Sequence, residues 1–135
     1  MVTCAVIKRN GFYLCARRAQ GKKLAGYWEF PGGKVEDGES LFQCIEREIL
    51  EELHCRVLAR KIFDVSLSQQ KQKVIELHAI ECDLLNEEPK VNSIDHDLLC
   101  WTTPLNIYRL HLAPADIPFL KKLQQNKNHI LESVL

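Results

Sequence analysis

Gly33-Lys34-Val35-Glu36-Asp37-Gly38-Glu39-Ser40-Leu41-Phe42-Gln43-Cys44-Ile45-Glu46-Arg47-Glu48-Ile49-Leu50-Glu51-Glu52-Leu53-His54-Cys55 is the stretch that decides how the rest of the chain is read. Ser40 has Gln43 three residues on, which makes a capping box, and good helix formers continue to about Leu53. At about 100° per residue, Phe42, Ile45, Ile49 and Leu53 share one face, which would pack against a sheet. Glu48, Glu51 and Glu52, three and four residues apart, share another side. Like charges at that spacing cost roughly a few tenths of a kcal/mol each. They also sit toward the helix C-terminus, where the macrodipole disfavours anions. Taken alone, Glu-x-x-Glu-Glu also describes a solvated helix face. A site for hard divalent cations has a stronger use for it, because Mg²⁺ takes oxygen ligands and bridges to phosphate oxygens. Arg47 stands beside Glu48 and can hold a carboxylate by paired hydrogen bonds. Gly32-Gly33 precedes the helix, where exposed backbone could approach a metal or phosphate closely.

Outward from this helix, the chain reads as strands. Residues 2–8 and 12–18 are apolar runs separated by Arg9-Asn10-Gly11, a hairpin signal because Asn and Gly both tolerate positive φ. Tyr27 to Gly33 reads as a short strand running into a glycine-rich turn. Residues 55–68 and 73–84 are strand-like, joined by Gln69-Gln70-Lys71-Gln72, and Leu98 to Trp101 is another short strand. Thr103-Pro104 has the pattern of an N-cap followed by proline at the first helical position. A last helix is expected from near Pro114 to about Gln125, with 126–135 as a tail that frays. The order of elements implies an α+β fold, an α/β/α sandwich on a mixed sheet, in one domain over 1–135.

Bulk properties bound the function. With 46% hydrophobic and 27% charged residues the balance is that of a soluble globular protein. A formal net charge of zero offers no basic field for a nucleic-acid polymer. No apolar run reaches the roughly 18–20 residues of a membrane helix, and the first residues read as a strand rather than a signal peptide. Six cysteines are widely scattered without a C-x-x-C pair, which favours buried free thiols in a reducing cytoplasm over disulfides or zinc.

Gly33, Glu39 and Arg47-Glu48-Ile49-Leu50-Glu51-Glu52, at these spacings, resemble the Nudix box, G-x5-E-x7-R-E-U-x-E-E-x-G-U. Two positions depart from it. His54 stands where the box has glycine, and Cys55 takes the final apolar position. Histidine tolerates positive φ better than most residues, so local geometry is what the departure touches. Ala16-Arg17-Arg18-Ala19 and Trp28-Glu29-Phe30-Pro31-Gly32-Gly33-Lys34 resemble the MutT branch of the family. Trp101 with Leu112 to Pro118 resembles its CTP and modified-dCTP pyrophosphohydrolases. The resemblance covers residues 2–125.

That resemblance implies roles. Glu48, Glu51 and Glu52 would ligate Mg²⁺, with Mn²⁺ as a substitute, and the Gly32 carbonyl would complete the shell. Gly33, Glu39 and Arg47 would support the box, Glu39 by pairing with Arg47. Arg18 and Lys34 would contact the triphosphate, Phe30 the base by its face or backbone, and Asp116 would read the base. Asp95 replaces the family's usual Glu six residues before the tryptophan and is one methylene shorter. Either Glu48 or Asp95 could accept the proton from the attacking water. His96 follows Asp95 and is placed to orient it, while His78 and His111 read as structural.

The implied activity is Mg²⁺-dependent cleavage of nucleoside triphosphates to monophosphate and pyrophosphate, in nucleotide-pool sanitation. An ionised Asp116 accepting from cytosine N4–H₂ leans toward CTP, dCTP or a modified pyrimidine, with 8-oxo-dGTP as the competing substrate. A hydrolase of ADP-ribose or nucleoside diphosphate sugars is a second reading, against which the MutT-type flanks argue. A silent nucleotide-binding module is a third, and it should have lost box carboxylates. The expected partner is a small nucleotide, with no nucleic-acid polymer and no membrane, and the protein a monomer or homodimer.

Overall fold

The computed structural model describes residues 1–134, with side chains through Gln125. In chain order it contains β1 (Val2–Arg9), β2 (Phe12–Arg18), β3 (Trp28–Glu29), β4 (Gly32–Lys34), α1 (Leu41–Leu53), β5 (Val57–Gln70), β6 (Lys73–Leu84), β7 (His96–Thr102), α2 (Pro104–Ile107), a 3₁₀ turn (Pro114–Asp116) and α3 (Ile117–Val134). The strands form one mixed sheet ordered β3-β2-β1-β6-β5, with β4 also on β1 and β7 on β2. β1 and β6 run parallel; the other pairs are antiparallel.

The apolar run of β1 explains the layering. Side chains alternate across a strand. Cys4 and Val6 enter a cluster with Phe30, Ile107, Phe119, Leu120 and Leu123. Ala5 and Ile7 enter a second cluster with Ile45, Ile49 and Leu53 of α1. A strand buried on both faces reads as an apolar run, as Cys4 to Ile7 do here. Helix α1 covers one face and α2 with α3 the other, giving the expected α+β sandwich. Among the described residues no helix is long and apolar enough to cross a membrane.

Local signals act where the sequence places them. Asn10 and Gly11 turn the first hairpin at φ 52° and 82°. The capping box forms in full: Gln43 N–H donates to Ser40 Oγ at 3.0 Å and Ser40 N–H to Gln43 Oε1 at 2.9 Å. His54 ends α1 in the left-handed region, φ 52° and ψ 32°, its N–H donating to the Leu50 carbonyl. The box glycine is thus replaced by a residue that still reaches the required conformation.

Several expectations are corrected. Gly32–Lys34 is a strand on the start of β1 rather than a turn; backbone pairing overrides the low strand propensity of glycine. Phe42 is 36% exposed, and the first turn of α1 faces β4 through Cys44 instead, whose Sγ lies 3.4 Å from the Lys34 carbonyl. The β5–β6 hairpin extends through Gln70 and turns at Lys71-Gln72 alone, both at positive φ. Thr103 and Pro104 do take the expected N-cap and first helical positions of α2, with no hydrogen bond from the Thr103 side chain. Helix α3 starts after a 3₁₀ turn and continues past Gln125 to Val134. The side chains of the expected tail, 126–135, lie outside the described residues.

Candidate active site

The loop entering α1 and the edge of β1 bring the box together. Arg47 grips Glu39 with two hydrogen bonds, Nε to Oε2 at 2.6 Å and Nη2 to Oε1 at 2.9 Å. The guanidinium holds the Glu39 carboxyl at a pKa of about 2. Nη1 of Arg47 reaches Glu48 Oε1 at 2.9 Å and Glu51 Oε2 at 3.3 Å, and Nη2 reaches the Lys34 carbonyl at 3.2 Å. Helix α1 is thereby pinned to β4 through one side chain.

The three glutamates differ in environment. Glu51 lies at the rim with its side chain 60% exposed, whereas that of Glu48 is 15% exposed. Burial pushes Glu48 above the ordinary carboxylate range against the pull of Arg47. Glu52 goes further: its Oε2 is buried with no hydrogen-bond partner among the described residues. Burial, then the charges of Glu48, Glu29 and Asp95, push its pKa up to about 9, opposed by the Gly32 backbone. Among the described residues no three His, Cys, Asp or Glu side chains converge as a ready ligand cluster. Glu51 is engaged by Arg47 instead.

The glycines serve space rather than turning. A Cβ on Gly33 would occupy the position of the Glu48 carboxylate, and one on Gly32 would strike the Thr3 carbonyl and Cys4 Cα. A cavity of about 650 Å³ opens beside them, bounded by the start of β1, β4, the β5–β6 hairpin and the Ala113–Asp116 segment. Arg18, Phe30, Lys34 and Asp116 all line it, as do Gly32 and Gly33. Lys34 is exposed at its edge.

Asp116 reaches this cavity because its segment is stitched to β3. Trp28 N–H donates to the His111 carbonyl at 2.8 Å and Ala113 N–H to the Trp28 carbonyl at 2.7 Å. Asp116 Oδ2 then accepts from Phe30 N–H at 2.8 Å. The Phe30 ring is core, and its amide is engaged by Asp116. Burial raises the Asp116 pKa to about 7, against the Phe30 amide. The ionised form assumed from sequence is therefore only part of the population at neutral pH.

Asp95 accepts from Asn92 Nδ2 at 2.6 Å and pairs with Lys22 at 3.1 Å. Burial opposes its ionisation, but Asn92 and Lys22 prevail and its pKa lies below the usual value. His96 does not hydrogen-bond to it as expected. Its Nε2 lies 2.8 Å from Glu29 Oε2, and Glu29 Oε1 accepts from Arg18 Nη1 at 2.9 Å. Glu29 carries no signal in the sequence beyond its place in Trp28-Glu29-Phe30, and sequence reasoning passed over it.

The NUDIX domain family matches residues 1–123. The chain belongs to the Nudix family. Among relatives of this Nudix hydrolase, an Escherichia coli CTP pyrophosphohydrolase is 35% identical over 89% of the chain and 87% of that protein. A provisionally named 8-oxo-dGTP diphosphatase 2 of Mycobacterium tuberculosis is 33% identical over 95% of the chain and 90% of its own length. The solution structure of the Escherichia coli ORF135 protein superposes with a TM-score of 0.83 at 34% identity, covering 93% of this chain and 89% of the other. In this Nudix chain Arg47 and Glu39 are paired, and Glu48 and Glu52 face inward.

Proposed function

We propose that this Nudix hydrolase is a divalent-metal-dependent nucleoside triphosphate pyrophosphohydrolase, converting a (d)NTP and water to the (d)NMP and pyrophosphate. The observation that carries the reading is Glu52: a buried carboxylate oxygen without a partner, beside a second inward glutamate, is a costly arrangement that a cation relieves. The donor set fits a hard ion, since it consists of carboxylates with the Gly32 backbone against Glu52. Glu48, Glu51 and Glu52 would hold Mg²⁺ or Mn²⁺, Glu51 turning inward from Arg47. When bound, the ion supplies positive charge to the bridging phosphate oxygens and to the water that attacks.

The chain's own groups do the rest. Arg18 and Lys34 at the cavity wall neutralise the outer phosphate oxygens, and Arg47 keeps Glu48 in place. A water oxygen bonds to the β-phosphorus while the bond from that phosphorus to the α–β bridging oxygen breaks, so the nucleoside monophosphate leaves. Between the two candidate proton acceptors, Glu48 is favoured. It faces inward and is held in place by Arg47, whereas Asp95 is already engaged by Asn92 and Lys22. The base sits against Asp116, and the names of both relatives support a cytosine or an oxidised guanine there. Cytosine is favoured, because the ionised share of Asp116 accepts from N4–H₂. Buried thiols at five of six cysteines fit a cytoplasmic setting and work on nucleotide pools.

A panel of nucleotides with Mg²⁺ tests the reading. Pyrophosphate and monophosphate should appear, fastest from a cytosine or modified pyrimidine triphosphate. In ¹⁸O-labelled water the label should enter pyrophosphate. Release of orthophosphate, label in the monophosphate, or preference for ADP-ribose would each count against it.

A further inference from the structure

The pairing of β2 with β7 is regular from Tyr13↔Thr102 to Arg17↔Leu98, then slips so that Arg18 faces His96 and Asp97 is left over. A bulge of this kind re-aims side chains. Here it sorts two arginines. Arg17 takes Asp97 through two hydrogen bonds, 2.8 and 3.1 Å. Arg18 is set on the same face as Glu29, since Ala16, two residues away, pairs with Glu29 across β3.

His96 is 1% exposed. A carboxylate oxygen can only accept, so Nε2–H of His96 donates to Glu29 Oε2 at 2.8 Å. Its other ring nitrogen, Nδ1, is buried and with no hydrogen-bond partner among the described residues. A leucine would fill this place without an orphaned polar atom. Packing therefore does not explain the histidine. Arg18 spends Nε on the Lys23 carbonyl and Nη1 on Glu29, and Nη2 makes no hydrogen bond among the described residues. Both Arg18 and Glu29 line the cavity.

We propose that His96 is a positioning residue: it fixes one oxygen of Glu29 so that the other holds the Arg18 guanidinium, with Nη2 directed to a phosphoryl oxygen of the nucleotide. The identity of that anion rests on the function proposed above; the relay from His96 through Glu29 to Arg18 does not. The Asp97 bulge is what brings the three residues onto one face.

The test is a double-mutant cycle on the affinity for the α,β-methylene analogue of CTP with Mg²⁺, measured calorimetrically on the whole chain. His96→Leu should weaken binding about tenfold, the size of one lost charge-assisted hydrogen bond. His96→Gln should stay within about threefold of wild type, because its amide nitrogen can take the place of Nε2. In an Arg18→Gln background His96→Leu should add less than about twofold. Effects that multiply, or a Gln variant as impaired as the Leu variant, overturn the proposal. Should His96→Leu fail to fold, Glu29→Gln with Arg18→Gln gives the same cycle, and independent effects there overturn it equally. Turnover of the wild type is scored separately. A wild type that binds the analogue yet releases no pyrophosphate overturns the proposed function and leaves the relay standing if the cycle couples. A wild type that does not bind it overturns the relay's role.

Discussion

Glu39 and Glu52 stand at the two ends of one motif and in opposite circumstances. Glu39 has both oxygens on Arg47 and a pKa of about 2. Glu52 has one buried oxygen with no partner among the described residues and a pKa of about 9. The first arrangement is complete within the protein. The second has no partner among the described residues, and under the function proposed here a bound cation would complete it. A cluster of like charges on a helix is thus two different things at once, a scaffold held by Arg47 and a strained site behind it.

The largest expected effect separates them on activity and stability together. Glu52→Gln should lower the rate of pyrophosphate release by at least about 10³-fold. Its effect on metal-free stability should have the opposite sign. A carboxyl whose pKa is raised on folding, here from 4.5 to about 9, favours the folded state below 4.5 and loses that contribution as pH rises toward 9. By pH 7 the loss is on the order of 3 kcal/mol. Glutamine removes the charge but keeps a buried polar group, so a gain of about 1–2 kcal/mol and several degrees in Tm is expected by thermal unfolding. A lower Tm at pH 7 would break the comparison.

Glu39→Gln should behave as the reverse. Loss of the Arg47 clamp should cost about 10–100-fold in activity, as for residues that orient ligands, with Tm falling rather than rising. Its wild-type contribution is present above the unfolded pKa near 4.5 and disappears as pH falls toward 2. The gap in Tm between wild type and variant should therefore close in acid.

Asp116 gives a smaller, pH-dependent effect. Its acceptor form dominates above its pKa of about 7, so KM for a cytosine nucleotide should rise severalfold between pH 8 and 6. Asp116→Asn should flatten that dependence and shift base preference; an unchanged profile would remove its role. Smallest of all, Ser40→Ala should cost about 1 kcal/mol of stability by unfolding, with the activity difference between the Glu39 and Glu52 variants unaltered.

What the sequence made legible was local or fixed in spacing. Ser40 with Gln43, Asn10-Gly11 and His54 act through their own backbone neighbours, and the Gly33–Glu39–Arg47–Glu52 spacing survives because one helix and one clamp set it. What was illegible depends on long-range register. Gly32–Lys34 becomes a strand only because β1 offers it an edge. Lys71-Gln72 turns at positive φ because the β5–β6 pairing demands it. His96 looked like a neighbour of Asp95, and a single slipped residue at Asp97 sends it to Glu29 instead. The burial that separates Glu52 from Glu51 likewise belongs to the packed sheet, since both residues read alike in the chain.

The most direct measurement is calorimetric binding of Mn²⁺ to wild type and Glu52→Gln at pH 7, each in two buffers of different ionisation enthalpy. In the wild type, binding should release about one proton per ion as Glu52 ionises, and the variant should lose that proton and most of the affinity. Equal affinity in the two proteins, with no proton released by the wild type, would contradict the assignment of Glu52 as a ligand.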